Sequence, residues 1–222
     1  MKQALWCAAL VLASAPAVQS GAEPAQRPIE IRVPPLYDFV GPKVQVGAFS
    51  EGLASKDRQR FLATVAAMKG RFGELSAESM YVASIRLYDF GMRDAAVYWF
   101  YAAQFRATLL ETVAFKSEAG ARAIAANKEF HASAGRIING YAFCDLQKLT
   151  DTLALVAEQE SMPPNLRRIY PGLPLVADRL WTPASLRIAQ GYRELSDEIA
   201  ERWDEIQSKR DSNGMNTRYC RR

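Results

Sequence analysis

Few side chains in this sequence have obvious reactive potential. There is one histidine, His131, and there are three cysteines, Cys7, Cys144 and Cys220. A single histidine cannot build a His-Glu-x-x-His zinc site, and no Cys-x-x-Cys pair supports a redox motif or a zinc ribbon. A Gly-x-Ser-x-Gly elbow, a glycine-rich phosphate loop and a dinucleotide fingerprint are also absent from the sequence. His131 follows Lys128-Glu129-Phe130 on a predicted helix face and reads as a surface or cap residue, not as a ligand or base. Glu74 and Glu78 are four residues apart near the start of a predicted helix. On one helix face they would form the carboxylate pair that a wall hydrolase needs. The same positions also suit a helix N-terminus electrostatically. Asp145 beside Cys144 is no more specific. No cofactor and no metal are expected.

The meaning of the cysteines depends on the compartment. Met1-Lys2-Gln3 is a short basic start, Ala4 to Ala15 is apolar, and small residues follow through Ser20. That order is the order of a secretory signal peptide. Cleavage fits after Ala17 or after Ser20, and Ser20 is preferred because the polar stretch Gly21-Ala22-Glu23-Pro24 follows it. The apolar run is too short to span about 30 Å of hydrocarbon comfortably. A periplasmic or secreted protein is therefore expected, with no stable membrane anchor after cleavage. Removing the leader takes Cys7 and leaves Cys144 and Cys220 as a pair, for which an oxidising compartment predicts a disulfide. Closing such a loop is worth roughly 4 kcal/mol in the chain-entropy model. The leader also carries Lys2, so the net charge falls from +4 to +3. An excess that small does not require a nucleic-acid partner.

The elements that must position these residues are mostly helical. Residues 1–20 are the leader, 21–54 an extended or short β arm, and 55–222 a helical domain with a proline-rich segment at 161–182. In the arm, Ile29, Ile31 and Val33 alternate with Glu30 and Arg32, a strand-like period. Prolines 24, 28, 34, 35 and 42 limit those pieces to edge strands or extended chain. Helices are predicted over 56–70 with Ser55 as N-cap, from Ser76 to Gly91, and from 94 or 95 to 117. A further helix over 118–134 breaks or bends at Gly135, and helical spacing resumes to about Glu160. Thr182 and Pro183 open a last helix that runs to about Arg210. Residues 95–105 are apolar nearly all round, which marks the central, buried helix. Its aromatics, Tyr98 to Tyr101 and Phe105, are read as core.

One stretch resembles a known family. Tyr88-x-x-Gly91 followed by Ala96-x-x-Trp99-Phe100 and Ala103 is similar to a tetratricopeptide-like hairpin of the short exported branch. Glycine permits the turn, alanines allow close approach, and aromatics fill the groove between the helices. No second copy appears at a period of 34 to 40. The resemblance implies a mainly α fold of antiparallel hairpins that binds another protein and is not a catalyst. An immunity protein that occludes a secreted antibacterial effector in the periplasm fits that description. The candidate partner-binding residues are Arg86, Arg93, Arg106, Arg167, Arg168 and Tyr170, since arginine is favoured at interface hot spots. The alternative is an envelope enzyme acting on peptidoglycan, with Glu74 or Glu78 as its acid.

Overall fold

The computed structural model describes residues 47–220, together with the backbone of β1 (Ile31–Arg32) and β2 (Val40–Gly41). These two short strands pair antiparallel, with Ile31 opposite Gly41. The leader and most of the 21–54 arm lie outside the described residues.

The described chain is mainly helical, as expected. The end of the proposed arm is not extended. Gly47–Phe49 forms a 3-10 turn that leads into α1 (Ser50–Ala54). Leu53 of α1 is buried, and the Arg86 guanidinium donates to the Leu53 and Ser55 carbonyls at 3.0 and 2.6 Å. Those bonds satisfy acceptors that a short helix leaves open at its end. Next comes α2 (Arg58–Gly70), capped not by Ser55 but by Asp57, whose carboxylate accepts from the Gln59 and Arg60 N–H groups.

Two helices form the centre. In α3 (Ala77–Asp89) the Ser76 hydroxyl accepts the Ser79 N–H, so this cap is the expected one. The turn into α4 (Arg93–Val113) is closed by two bonds at 2.9 Å, Gly91 N–H to Tyr88 O and Met92 N–H to Leu87 O. This is a Schellman end, and it needs the positive φ of +76° that Gly91 adopts. As its all-round apolar pattern predicts, α4 is the central helix. Trp99, Phe100 and Phe105 are fully buried, and α4 packs against α3. It ends four residues before the expected Ser117, because Ala114 leaves the helix to bridge Leu175.

The next boundary also falls elsewhere. Helix α5 (Glu118–Ala142) runs straight through Gly135 and Gly140, and the break comes at Phe143–Asp145. Gly140 is a site of close approach: a Cβ there would lie 2.7 Å from the Tyr219 ring. Then α6 (Leu146–Gln159) begins on an Asp145 cap. The proline-rich segment contains α7 (Leu166–Ile169) and a 3-10 turn at Asp178–Leu180. The last predicted helix starts at Trp181, so Pro183 sits in its first turn without acting as the first residue. It is interrupted at Arg202, giving α8 (Trp181–Glu201) and α9 (Trp203–Ser212). Gly214 turns the chain with φ +74°, and α10 (Met215–Tyr219) brings Cys220 to Cys144, with S–S 1.97 Å and Cα–Cα 5.4 Å. Around α4, α5, α6 and α8 lie on the sides that α3 leaves free. Among the described residues no helix is long and apolar enough to cross a membrane.

Candidate interaction surface

Two of the six expected partner-binding residues, Arg86 and Arg106, are inside the protein, and a third, Tyr170, is half-buried with its hydroxyl turned inward. Arg86 is 5% exposed, lies over the Phe61 and Phe90 rings, and faces Asp89 at 3.7 Å. Arg106 is 1% exposed. One of its nitrogens donates to the Phe72 and Leu75 carbonyls, and another grips both Glu160 oxygens at 2.7 Å. Tyr170 accepts the Ala77 N–H at 3.0 Å and donates to Glu78 at 3.2 Å, and burial pushes its phenol pKa well up. These side chains fasten segments of the chain to one another and are not surface anchors. Arg93 is half-buried, stacked over Tyr88 and Tyr141. It lines a groove of about 920 Å³ with Asp94, Lys148 and the disulfide. In that groove Asp94 accepts from Tyr141 Oη at 2.7 Å and from Lys148 Nζ at 2.8 Å.

Arg167 and Arg168 remain exposed, and both lie on the proline-rich segment. Its conformation is set from below. Leu166, Leu175 and Trp181 are buried with Leu109, Leu110 and Val113 of α4 in a second apolar cluster. The Phe115 N–H donates to Pro174 O, the Val176 N–H to Val113 O, and the Trp181 indole to Val176 O. Tyr170 adds its bonds to the start of α3. From above, Arg167 pairs with Asp178 at 2.9 Å and lies over the Trp181 ring. Arg168 reaches Glu74 at 3.4 Å.

Large apolar side chains reach solvent around this segment. Met162 is 69% exposed, Phe115 53%, Leu186 49% and Leu180 47%. Scattered exposed hydrophobics are ordinary, but these four lie within the segment or directly beside it. Residues 161–182 carry Arg167, Arg168 and Arg179 against a single acid, Asp178. The result is a seated, apolar and basic surface.

The candidate acids are arranged differently from a hydrolase pair. Glu74 lies in a 3-10 turn (Phe72–Glu74) before α3, so it shares no helix face with Glu78. The hydrogen bonds from Arg71, with Arg168 nearby, hold its carboxyl below the usual range. A general acid must carry its proton near the working pH, and Glu74 is set the opposite way. Glu78 accepts from Tyr170 and from Asn127 Nδ2. His131 is half-buried and stacked on Phe100, with ring centroids 5.5 Å apart. The sulfurs of Cys144 and Cys220 are joined to each other, so neither is a free thiolate.

Two further carboxylates, Glu160 and Asp89, have buried side chains. Glu160 is fully buried against Arg106, and its carbonyl accepts the Ser185 hydroxyl. Burial drives its pKa up against the pull of Arg106. Asp89 has both carboxylate oxygens buried without a hydrogen-bond donor, and burial pushes it up to about 7. A sequence signal for Arg106 does exist. Its neighbours three and four residues away, Ala102, Ala103, Leu109 and Leu110, are all apolar, so it sits on the buried stripe of α4.

The chain matches no family model and no solved structure. It is 30% identical over 159 residues to an uncharacterized protein of Haemophilus influenzae (strain ATCC 51907 / DSM 11121 / KW20 / Rd). That likeness covers 66% of this chain, and the chain spans 58% of the length of that relative.

Proposed function

We propose that the chain is an exported protein-interaction module, an immunity protein that blocks a secreted antibacterial effector by occluding it. The observation that carries this reading is the proline-rich segment. It presents Met162, Leu180, Arg167 and Arg168 to solvent while Leu166, Tyr170, Leu175 and Trp181 hold it in place. A surface fixed before binding loses little conformational entropy when it docks. Its basic, apolar character fits an acidic face around an effector's active site. The interface would bury on the order of 1,600 Å² in total. The signal peptide read in residues 1–20 would deliver this surface to the periplasm, where the Cys144–Cys220 bridge is stable. In this reading the α3–α4 hairpin, with its likeness to a tetratricopeptide-like unit, is the scaffold, because Arg86 and Arg106 face inward.

The test is protection. The product of the adjacent gene is directed to the periplasm of a host that carries this chain. Growth should be rescued by the wild type and lost with Met162→Asp combined with Leu180→Asp, or with Arg167→Glu combined with Arg168→Glu. The thermal stability of those variants should fall only slightly, since the ion pairs lost are exposed. Full rescue by both double variants, or no rescue by the wild type, would refute the proposal.

A further inference from the structure

Three arginines are buried, and one of them differs from the others. Arg86 faces Asp89 and Arg106 grips Glu160. Arg210 is 5% exposed, yet no carboxylate lies within 4 Å of it among the described residues. A buried charge is normally paired. The acid next to it in sequence, Asp211, turns its carboxylate to the Asn216 amide at 2.8 Å.

The guanidinium lies against the disulfide instead. Its Nη2 donates to Gly140 O at 2.7 Å and is 3.6 Å from Cys220 Sγ and 3.9 Å from Cys144 Sγ. Its Nε donates to Asn216 Oδ1 at 2.8 Å, and the Phe143 ring lies beneath it. A disulfide offers a cation no charge, whereas a thiolate does, and a neighbouring arginine favours the thiolate over the thiol. The two cysteines are mounted differently. Cys144 joins α5 to α6, and its sulfur is 3.6 Å from Gly140 O, the same carbonyl that holds Arg210. Cys144 and Arg210 therefore stay together if the bridge opens. Cys220 follows the five-residue α10, a short element that can swing away. Both cysteines are half-buried and line the groove of about 920 Å³ beside Arg93, which gives a reagent access.

We propose that the Cys144–Cys220 bridge is an exchange site opened by a dithiol, with Arg210 holding the thiolate that leaves. A thiolate of the dithiol attacks Cys220 Sγ. The S–S bond breaks, a mixed disulfide forms at Cys220, and the electron pair goes to Cys144 Sγ beside Arg210. The second sulfur of the dithiol, once deprotonated, attacks the first, closes a cyclic disulfide and releases Cys220. The dithiol loses two electrons and the bridge gains them. Of the two protons that the dithiol gives up, one ends on Cys220 and one in solvent. A better-stabilised leaving thiolate makes exchange faster and the bridge more easily reduced. Opening also unties α10, whose Tyr219 ring packs on Gly140, so the dithiol controls one wall of the groove.

The test uses the full chain, exported and purified from the periplasm of an expression host. After reduction and desalting, alkylation by iodoacetamide is followed against pH, with peptide mass mapping to read Cys144. Its midpoint should lie at least one pH unit below the ordinary thiol value of about 8.5. In graded ratios of reduced and oxidised dithiothreitol, Arg210→Met should favour the closed bridge at least tenfold, which is about 30 mV. Arg210→Lys, which keeps the charge, should recover most of that difference. The sign separates this role from a purely structural one, because loss of a simple clamp would make the bridge easier to open. Opening by reduced thioredoxin faster than by equimolar dithiothreitol identifies a protein dithiol as the source, and slower opening identifies a small one. The proposal is overturned by a Cys144 midpoint at or above 8.5, or by an Arg210→Met bridge that opens as readily as the wild type or more so. If Arg210→Met does not fold, the wild-type Cys144 midpoint decides alone.

Discussion

Glu160→Gln should be among the most damaging near-isosteric changes in this protein. The Arg106 and Glu160 side chains are 2% and 1% exposed, and two bonds of 2.7 Å join them. The substitution keeps the shape and removes the negative charge. Arg106 is then left buried without a counter-charge, its acceptors reduced to the Phe72 and Leu75 carbonyls and one amide oxygen. Removing one partner of a buried pair costs about 3–5 kcal/mol. For a chain of this size, 1 kcal/mol moves Tm by about 2–4 °C, so the expected loss is about 6–20 °C. Arg106→Met should cost a similar amount, because it strands the Glu160 carboxylate as well as two carbonyls. The double variant should cost clearly less than the sum, with a coupling of about 2 kcal/mol or more. Urea unfolding followed by circular dichroism and tryptophan fluorescence measures each corner of the cycle. Hydrogen exchange should quicken at 72–76 and at the start of the proline-rich segment, since the pair ties both to α4. A loss below about 1 kcal/mol for Glu160→Gln, or strict additivity, would refute the assignment of this pair as the clamp between those elements.

Glycine substitutions should split by environment. Gly140→Ala puts a Cβ 2.7 Å from the Tyr219 ring, which the neighbouring disulfide holds in place, so about 1–3 kcal/mol of overpacking is expected in urea melts. Gly191→Ala, within α8 and with open space around the new Cβ, should instead stabilise by about 0.5–1 kcal/mol. Burial raises the pKa of Asp89 in the folded protein to about 7, from its ordinary 3.8. Between those values the folded state binds more protons than the unfolded state, so this group lowers stability as pH rises. The Tm of Asp89→Asn relative to wild type should therefore rise from pH 4 to pH 7 and level off above it, whatever the offset from losing the partner of Arg86. A difference that does not vary with pH would contradict the burial cause. Breaking the Cys144–Cys220 bridge, which spans 76 residues, should cost about 4 kcal/mol. Reductant should lower the wild-type Tm accordingly and leave a Cys144→Ala, Cys220→Ala double variant unmoved.

Local signals in the sequence place elements well and long-range contacts leave little trace in it, for a physical reason. Ser76 as a cap, Gly91 as a helix end and the apolar core of α4 depend on neighbours within a turn or two. The cysteine pair was legible because the compartment, and not geometry, predicts it. Gly135 reads as a break or bend although α5 runs through it, because glycine has two uses that look identical in sequence, and Gly140 shows the second use, close approach. The Tyr219 ring that needs the missing Cβ is far along the chain. The boundary at 143–145 had a local signal in Asp145, the cap of α6, which the resumed helical spacing concealed. Ser55 and Asp57 compete for the same cap, and Asp57 wins by accepting from both Gln59 and Arg60.

The arginines show why the candidate site was harder to read than the fold. A guanidinium that clamps two carbonyls and a guanidinium that anchors a partner use the same donors, so residue type alone cannot separate them. Distance along the chain does. Arg86 meets Leu53 and Arg106 meets Glu160, contacts that no local pattern announces. Once those two are assigned to the interior, Arg167 and Arg168 remain on a segment that the buried side chains hold in one shape. Fold and surface are then separable by mutation. Changes at Arg106 or Glu160 should reduce stability and binding together, because they loosen the base of the segment. Changes at Met162, Leu180, Arg167 or Arg168 should reduce binding with little loss of stability. If both sets behaved alike, the proline-rich segment would be part of the scaffold and the contact face would have to lie elsewhere, with the groove at Arg93 the next place to test.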